Sequence, residues 1–214
     1  LRLRDMFTLM REFGGANQMK EEFIGFLALV EETRPRWICE IGTGHGGTTF
    51  LLSRSAPDAN IVGIDIKVRN ESKLQQSREA GQRLYMIEGS SFDPRTVHMV
   101  EQILNGQMLD VLFIDGDHSS RGVSNDFLSY RHLVRDGGLI GFHDIQPDGR
   151  PRDAPDRPNG RNLYSGGVPE LWQALKEVYP GQEFVASPGQ LGYGIGVIRY
   201  SPSLSIPGEL APQE

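Results

Sequence analysis

Short apolar runs alternate with stretches of helical spacing through most of the chain. Five runs, each too short for an α-helix, end in polar or glycine-containing turns; they span residues 37–40, 61–66, 84–87, 109–114 and 139–142. Apolar residues recur at helical spacing in the four segments between them. Because strands that alternate with helices form parallel sheets with right-handed crossovers, we expect an α/β fold with a doubly wound, Rossmann-like sheet.

Two further strands are predicted near the end of the chain. Residues 183–186 and 194–200 are rich in apolar residues and are separated by a glycine-rich turn, which is typical of an antiparallel hairpin. The complete prediction is a mostly parallel seven-stranded sheet with an antiparallel C-terminal hairpin. We expect a single domain over residues 1–214, since 214 residues can bury one sizeable core.

Two segments outside this alternation are expected to cover the sheet. Residues 1–33 carry apolar positions at helical spacing and predict an N-terminal helical cap. Residues 146–167 are rich in Pro, Asp, Arg, Gly and Asn and follow the fifth strand. A long loop of this kind in a compact domain is usually a functional lid or disordered, and its position at a strand end favours a lid.

Polar side chains follow each of the first five strands. The carboxyl ends of parallel strands share one edge of the sheet, so these groups are predicted to line a single crevice. They are Glu40, Asp65, Ser90, Ser91, Asp115, Asp117, His118, His143 and Asp144. Any one acid is explained more simply as a helix cap, but five such sets at one edge indicate a site.

A glycine-rich turn follows the first strand and opens a helix. Glycine permits a ligand to lie against the backbone beside the free N–H groups of a helix N-terminus, which suits a nucleotide-like cofactor. Asp65, about twenty residues later, is placed to accept the hydroxyls of a ribose. The string Gly42-x-Gly44-x-x-Gly47 fits a dinucleotide fingerprint, whereas Glu40, two residues before the first glycine, favours a methyltransferase.

Composition narrows the range of partners. The formal net charge of −6 argues against general binding to nucleic acid or anionic membranes, which needs a clustered basic surface. Cys39 is the single cysteine, which excludes a disulfide framework and a cysteine zinc site. No run has the length of a membrane span and no signal peptide is recognised. We therefore expect a cytoplasmic protein with a small-molecule acceptor substrate; a homo-oligomer stays open.

From about residue 17 to residue 200 the chain resembles class I S-adenosylmethionine-dependent methyltransferases. Residues 113–119, 137–145 and 167–172 are similar to the bacterial methyltransferase-24 or cephalosporin-hydroxylase-like group, in which many members O-methylate sugars and natural products. The resemblance implies that Asp65 holds the ribose of the cofactor, and that Ser91 and Phe92 hold the adenine. The full set of implied cofactor-binding residues is Glu40, Gly42, Thr43, Gly44, Thr48, Asp65, Ser90, Ser91, Phe92 and Asp115.

The spacing is also similar to that of catechol O-methyltransferases, in which a divalent metal chelates the substrate oxygens. The matching metal ligands are Asp115, His143 and Asp144. Such a set suits Mg²⁺, and its nitrogen ligand also suits Mn²⁺, Fe²⁺ or Zn²⁺. The catechol type has oxygen ligands at both final positions, so His143 is alternatively a general base.

The candidate catalytic residues are Asp115, His118 and His143. His118 matches the position of the basic lysine in the catechol type, and an imidazole with an ordinary pKa of about 6.5 suits proton abstraction near neutrality. We favour His118 as the base, with Asp117 as an alternative ligand or orienting partner.

The leading hypothesis is an O-methyltransferase that uses S-adenosylmethionine and a divalent metal and acts on a hydroxyl of a sugar or natural product. One alternative is an NAD(P)-dependent oxidoreductase, which only the glycine string favours. The other is a non-catalytic cofactor-binding partner in a biosynthetic complex.

Overall fold

The computed structural model describes residues 7–8, 18–150 and 164–205. Helices and strands alternate along these residues up to the last two strands, and a 3₁₀ turn, Arg131–Leu133, precedes the fifth strand. In chain order the elements are α1 (Lys20–Thr33), β1 (Trp37–Ile41), α2 (Gly47–Ser55), β2 (Asn60–Asp65), α3 (Glu71–Ser77), β3 (Leu84–Glu88), α4 (Pro94–Leu104), β4 (Leu109–Ile114), α5 (Ser120–Tyr130), β5 (Val134–His143), α6 (Val168–Lys176), β6 (Gly181–Phe184) and β7 (Ile195–Arg199).

The strands form one seven-stranded sheet in the order β3-β2-β1-β4-β5-β7-β6. Strands β1 to β5 are parallel to one another, and β7 pairs antiparallel with both β5 and β6. The predicted fold, a mostly parallel seven-stranded sheet with an antiparallel C-terminal hairpin, is therefore confirmed.

Each face of the sheet is covered by helices. Helices α1, α2 and α3 contribute Phe26, Leu51 and Leu74 to the apolar core on one face, where the rings of Phe26 and Phe113 stack with centroids 4.9 Å apart. Helices α4, α5 and α6 pack on the other face, and Trp172 of α6 is buried there. Because helices bury both faces of the sheet, most side chains on both sides of the inner strands are apolar, which explains the continuous apolar runs in the sequence.

The limits of several elements differ from the prediction. The spacing of apolar residues over 123–134 predicts a helix, but α5 ends at Tyr130, and β5 begins at Val134 rather than at 139. Val134 pairs with Leu109, and the register then shifts before Leu139. Gly137 and Gly138, which by themselves predict a turn, lie in this irregular part of the strand. The charged segment 72–81 predicts a helix, but α3 ends at Ser77. The edge strand expected over 183–186 is β6, Gly181–Phe184.

Parts of both covering segments lie outside the described residues. Of the predicted helical cap over 1–33, residues 1–6 and 9–17 are not described, and α1 supplies the helix at its end. Of the predicted lid over 146–167, residues 151–163 lie outside the described part. None of the helices within 7–8, 18–150 and 164–205 combines the length and apolar character needed to cross a membrane.

We predict that Gly42→Ala destabilises the protein by about 2–4 kcal/mol, because it combines backbone strain with an atomic overlap. Gly42 has φ +90, and an added Cβ would overlap the carbonyl oxygen of Asp115. The matched control is Gly106→Ala, since Gly106 has φ +80 and open space around its Cβ position; it should cost only about 1 kcal/mol. Equal losses for the two variants in denaturant unfolding would contradict the overlap.

Candidate active site

The glycine turn connects β1 to α2 at the centre of the sheet edge. Gly42, Gly44 and Gly46 all have positive φ, at 90, 53 and 87°, which explains why glycine stands at each position. The Gly42 N–H donates to the Ile64 carbonyl at 2.8 Å, so the turn is anchored to β2. Gly46 is the N-cap of α2, and the turn therefore presents backbone N–H groups at the start of a helix.

Glu40 lies at the end of β1 and is completely buried. The hydroxyl of Thr49 in α2 donates to its Oε2, whereas its Oε1 has no hydrogen-bond partner among the described residues. Burial raises the pKa of the Glu40 carboxyl to about 8, although the Thr49 hydrogen bond opposes the shift. Near neutrality Glu40 is therefore largely protonated, a state in which Oε1 or Oε2 can act as a donor.

Asp65 closes the glycine turn from the end of β2. Its Oδ2 accepts the N–H of Gly44 at 2.7 Å, and its Oδ1 accepts the N–H of Lys67 at 2.9 Å. The side chain is only half-buried. Each oxygen has a second lone pair that can accept a hydrogen bond from a ligand hydroxyl group.

The residues after β3 are held by α5. The hydroxyl of Tyr130 donates to the carbonyl of Ser91 at 3.0 Å, and Ser90 Oγ accepts the N–H of Phe92 at 3.2 Å. Phe92 is 41% exposed, so its ring is available for a ligand. Asp126 of α5 is buried, and burial raises the pKa of its carboxyl to about 7.

Four side chains from the ends of β4 and β5 converge beside this turn. One ligand atom from each of Asp115, His118, His143 and Asp144 can be chosen so that all four lie within 4.8 Å of one another. Asp115 Oδ1 lies 3.2 Å from His118 Nε2 and 3.2 Å from His143 Nδ1. Asp144 Oδ2 lies 3.3 Å from the Nδ1 atoms of both histidines. We call these four residues the acid–imidazole cluster.

Charges within the cluster are strongly coupled. Burial opposes ionisation of Asp115, but the two imidazoles outweigh it and lower the pKa of this carboxyl. Burial likewise opposes protonation of His143, but Asp115 and Asp144 raise its pKa well above the ordinary value. Without a bound cation, protonated imidazoles therefore balance the two carboxylates.

His118 differs from the expectation of an ordinary imidazole. Burial alone would lower its pKa, but the hydrogen bond and charge of Asp115, with Asp144, raise it to about 9. Its Nδ1 lies 2.7 Å from the carbonyl oxygen of Tyr164. A carbonyl only accepts, so Nδ1 carries a proton, and neutral His118 presents an unprotonated Nε2.

The structure brings together most of the residues predicted from the sequence. Asp115, His143 and Asp144 are adjacent, as expected for a metal centre, and His118 joins them. Asp117 does not, because it is exposed and its Oδ1 accepts the N–H of Ser119 at the start of α5. Thr43 contributes backbone to the turn, while its side-chain methyl group packs over Gly63 of β2.

The sequence patterns did not indicate that Glu22, Thr49 and Tyr193 contact the site residues or support them. Glu22 had a signal, since it is an acid next to Phe23 on the apolar side of a predicted helix. Tyr193 had none, because it meets Asp144 only after the chain has passed through α6 and β6.

Comparisons with solved structures find this fold among methyltransferases. A putative O-methyltransferase from Klebsiella pneumoniae is 21% identical, with a TM-score of 0.61 and coverage of 91% of this chain and 87% of that one. The MycE methyltransferase from the mycinamycin biosynthetic pathway, in complex with Mg, SAH and mycinamycin VI, is 19% identical, with a TM-score of 0.58. The match covers 91% of this chain and 54% of the MycE chain. At these identities the likeness concerns the fold.

Among curated sequences, an uncharacterized protein, R132, of Acanthamoeba polyphaga mimivirus is 34% identical over 113 residues. The match covers 50% of this chain and 50% of that protein. The chain thus matches about half the length of this curated relative.

The fold is the Rossmann-like fold of the methyltransferases. The family model described as Rhamnosyl O-methyltransferase/CmcI matches residues 14–174, and the chain belongs to that family. The class predicted from the sequence is thereby confirmed, and the dinucleotide interpretation of the glycine string loses its support.

We predict that the metal-free protein loses stability as the pH rises from about 6.5 to about 9. The pKa of His118 is raised from 6.5 to about 9, so the folded state keeps a proton that the unfolded state releases. The stabilisation is complete below the ordinary pKa and is lost as the pH rises through the folded-state pKa. Denaturant unfolding in a chelator-containing buffer at pH 6, 7.5 and 9 measures this loss.

His118→Gln should reduce that fall, since it removes one of the titrating groups. The control is His45→Gln, because His45 lies exposed in the glycine turn and should leave the fall unchanged. A fall in His118→Gln as steep as in the wild type would contradict the assignment.

Proposed function

We propose that this protein transfers a methyl group from S-adenosylmethionine to a hydroxyl of a small molecule, with a divalent metal ion at the acid–imidazole cluster and His118 as the base. The observation that carries the proposal is the placement of this cluster directly beside the glycine turn. Asp115 joins the two, since its N–H donates to the carbonyl of Ile41 at 2.9 Å and its carboxylate belongs to the cluster.

The donor would bind along the glycine turn and the ends of β2 and β3. Gly42, Gly44 and the start of α2 would lie under the methionine part, with Glu40 and Thr48 beside it. Asp65 would accept the ribose hydroxyls, which are natural partners for a carboxylate. Ser90, Ser91 and the exposed ring of Phe92 would enclose the adenine, and Asp115 would border the methyl group.

The cluster fits a divalent cation by its chemistry and its charge. Asp115, Asp144 and His143 offer two carboxylates and an imidazole nitrogen within 4.8 Å of one another, a set that suits Mg²⁺ or Mn²⁺. When bound, such an ion would offset the carboxylate charge that keeps His118 protonated and would increase the acidity of an acceptor hydroxyl.

His118 would act through its Nε2 atom. The carbonyl of Tyr164 holds the proton on Nδ1, so neutral His118 can take the hydroxyl proton of the acceptor on Nε2. S-Adenosylmethionine would supply the methyl group, which would pass to the acceptor oxygen while the electron pair of the carbon–sulfur bond stays on sulfur and the hydroxyl proton stays on His118. S-Adenosylhomocysteine and the methyl ether are the products.

His143 suits a ligand or an orienting group better than a base. It is only 2% exposed, and its Nδ1 faces both carboxylates. A general base must reach the proton that it removes, and His118, with a side chain 18% exposed, is the more accessible imidazole.

The acceptor would be a sugar or a natural product. This proposal draws on the name of the family, which refers to methyl transfer to an oxygen of a rhamnosyl group. It also draws on the MycE complex with mycinamycin VI. It also agrees with a site lying near the ends of the predicted lid, where Ser165 and Asp148 are joined by hydrogen bonds of 3.1 Å.

We predict that Asp65→Asn weakens binding of S-adenosylmethionine by about 10- to 100-fold, since hydrogen bonds to a charged group contribute about 1.5–3 kcal/mol. Titration calorimetry with S-adenosylmethionine and, separately, with NAD measures this effect. Asp58→Asn is the matched control because Asp58 lies exposed in a turn, and it should bind like the wild type. Binding of NAD alone by the wild-type protein would overturn the proposed donor.

We predict that His118→Gln lowers kcat by about 10²- to 10⁴-fold, the usual contribution of a general base, while affinity for S-adenosylmethionine is retained. The assay is formation of S-adenosylhomocysteine with a panel of rhamnosides and hydroxylated natural products. His132→Gln, at an exposed histidine paired with Glu101, is the control and should keep wild-type activity. A His118→Gln enzyme with normal kcat on an accepted substrate would exclude His118 as the base.

A further inference from the structure

The start of α1 contacts the acid–imidazole cluster from outside. Gln18 lies two residues before this helix, on the far side of its N-cap Met19, and Glu22 lies in the first turn. Neither residue is one of the four members of the cluster. Each nevertheless connects to one of its two carboxylates.

Gln18 connects to Asp115 directly. Its Nε2 donates to Asp115 Oδ2 at 2.7 Å, and its Oε1 accepts from the hydroxyl of Thr48 at 3.1 Å. The amide is thus held at both ends. It fixes the rotation of the Asp115 carboxylate so that Oδ1, the other oxygen, faces the imidazoles of His118 and His143 at 3.2 Å.

Glu22 connects to Asp144 through the loop between β6 and β7. The carboxylate is 1% exposed, and its Oε1 accepts from the Ala186 N–H at 3.1 Å and from Gln190 Nε2 at 2.6 Å. Its Oε2 accepts from the Gly194 N–H at 2.9 Å. A buried carboxylate is costly unless it is bonded in this way, so Glu22 determines where residues 186–194 lie.

Tyr193 transmits this position to the cluster. Its N–H donates to Asp144 Oδ1 at 2.8 Å, which leaves Asp144 Oδ2 facing both imidazoles at 3.3 Å. Tyr193 and Asp144 both have left-handed backbones, with φ 57 and 62. Such conformations are unfavourable for residues other than glycine and persist only where the surroundings hold them.

We infer that Gln18 and Glu22 are positioning residues of the metal centre, one for each carboxylate. By occupying Asp115 Oδ2 directly and Asp144 Oδ1 through Tyr193, they turn Asp115 Oδ1 and Asp144 Oδ2 toward a common point. Groups that orient ligating carboxylates typically alter metal affinity by about 10- to 100-fold when replaced. The inference rests on the proposed function, since it requires that the cluster binds a metal ion.

The test is titration of the full chain with Mn²⁺, followed by calorimetry and by the electron paramagnetic resonance spectrum of the bound ion. We expect Gln18→Leu and Glu22→Gln each to weaken Mn²⁺ binding by at least tenfold and to broaden the spectrum of the bound ion. The controls are Glu21→Gln, which makes the same change of charge at an exposed position of the first turn, and Gln102→Leu on the exposed side of α4. Both controls should bind Mn²⁺ like the wild type.

The possible results separate the inference from the proposed function. If the wild type does not bind Mn²⁺, the metal centre and the positioning role both fail. If the wild type binds Mn²⁺ and both variants match it in affinity and spectrum, the positioning role alone is overturned. Should Glu22→Gln fail to fold, Gln18→Leu decides the question, because Gln18 is only half-buried.

Discussion

The glycine turn after β1 lies directly against the backbone that leaves β4. The carbonyl of Asp115 lies so close to Gly42 that a Cβ at this position would overlap it. The Asp115 N–H donates to the carbonyl of Ile41 at 2.9 Å. Parallel pairing of β1 with β4 therefore places the glycine turn and the first acid of the cluster within a single hydrogen bond of each other. This short separation suits the proposed function, because the methyl donor and the acceptor hydroxyl of an in-line displacement must lie next to each other.

Burial of charge is the second constraint on this edge of the sheet. Asp115, Asp144, His118 and His143 exclude most water, so each carboxylate requires a positive partner. In the metal-free protein the imidazoles supply it, and the pKa of His118 rises to about 9. A bound cation would neutralise the same two carboxylates. Cation binding and protonation of the histidines are therefore coupled. Glu40 is buried without a positive partner, but burial raises the pKa of its carboxyl to about 8, so near neutrality it is largely uncharged.

The geometry of the cluster is maintained from outside the strands that carry it. Asp144 has a left-handed backbone, and its carboxylate is held by Tyr193 at 2.8 Å. Glu22 in turn anchors the loop that contains Tyr193. A helix near the start of the chain and a loop near its end thus meet at the fifth strand. This arrangement explains why so polar a residue as Glu22 is buried within a face otherwise formed by Phe23 and Phe26.

The sequence by itself determined the sheet, the glycine turn and the row of polar strand ends. These features are local: apolar runs of strand length, glycines at positions that need positive φ, and acids directly after strands can be read residue by residue. Parallel strands then bring Asp115, His143 and Asp144 together through topology alone. The limits of β5 were less predictable, because pairing with β4 and β7 carries the strand through glycines that locally favour a turn.

Only the tertiary structure decided which partners each polar group has. The raised pKa of His118 comes from Asp144, 26 residues further along the chain, as well as from Asp115. The proton on its Nδ1 is set by a carbonyl 46 residues away. Glu22 and Asp144 are connected through Tyr193 and Gly194, near the other end of the chain. Electrostatic coupling and hydrogen bonding depend on distance in space, so residues far apart in the sequence determine the chemistry of side chains whose positions the sequence already indicated.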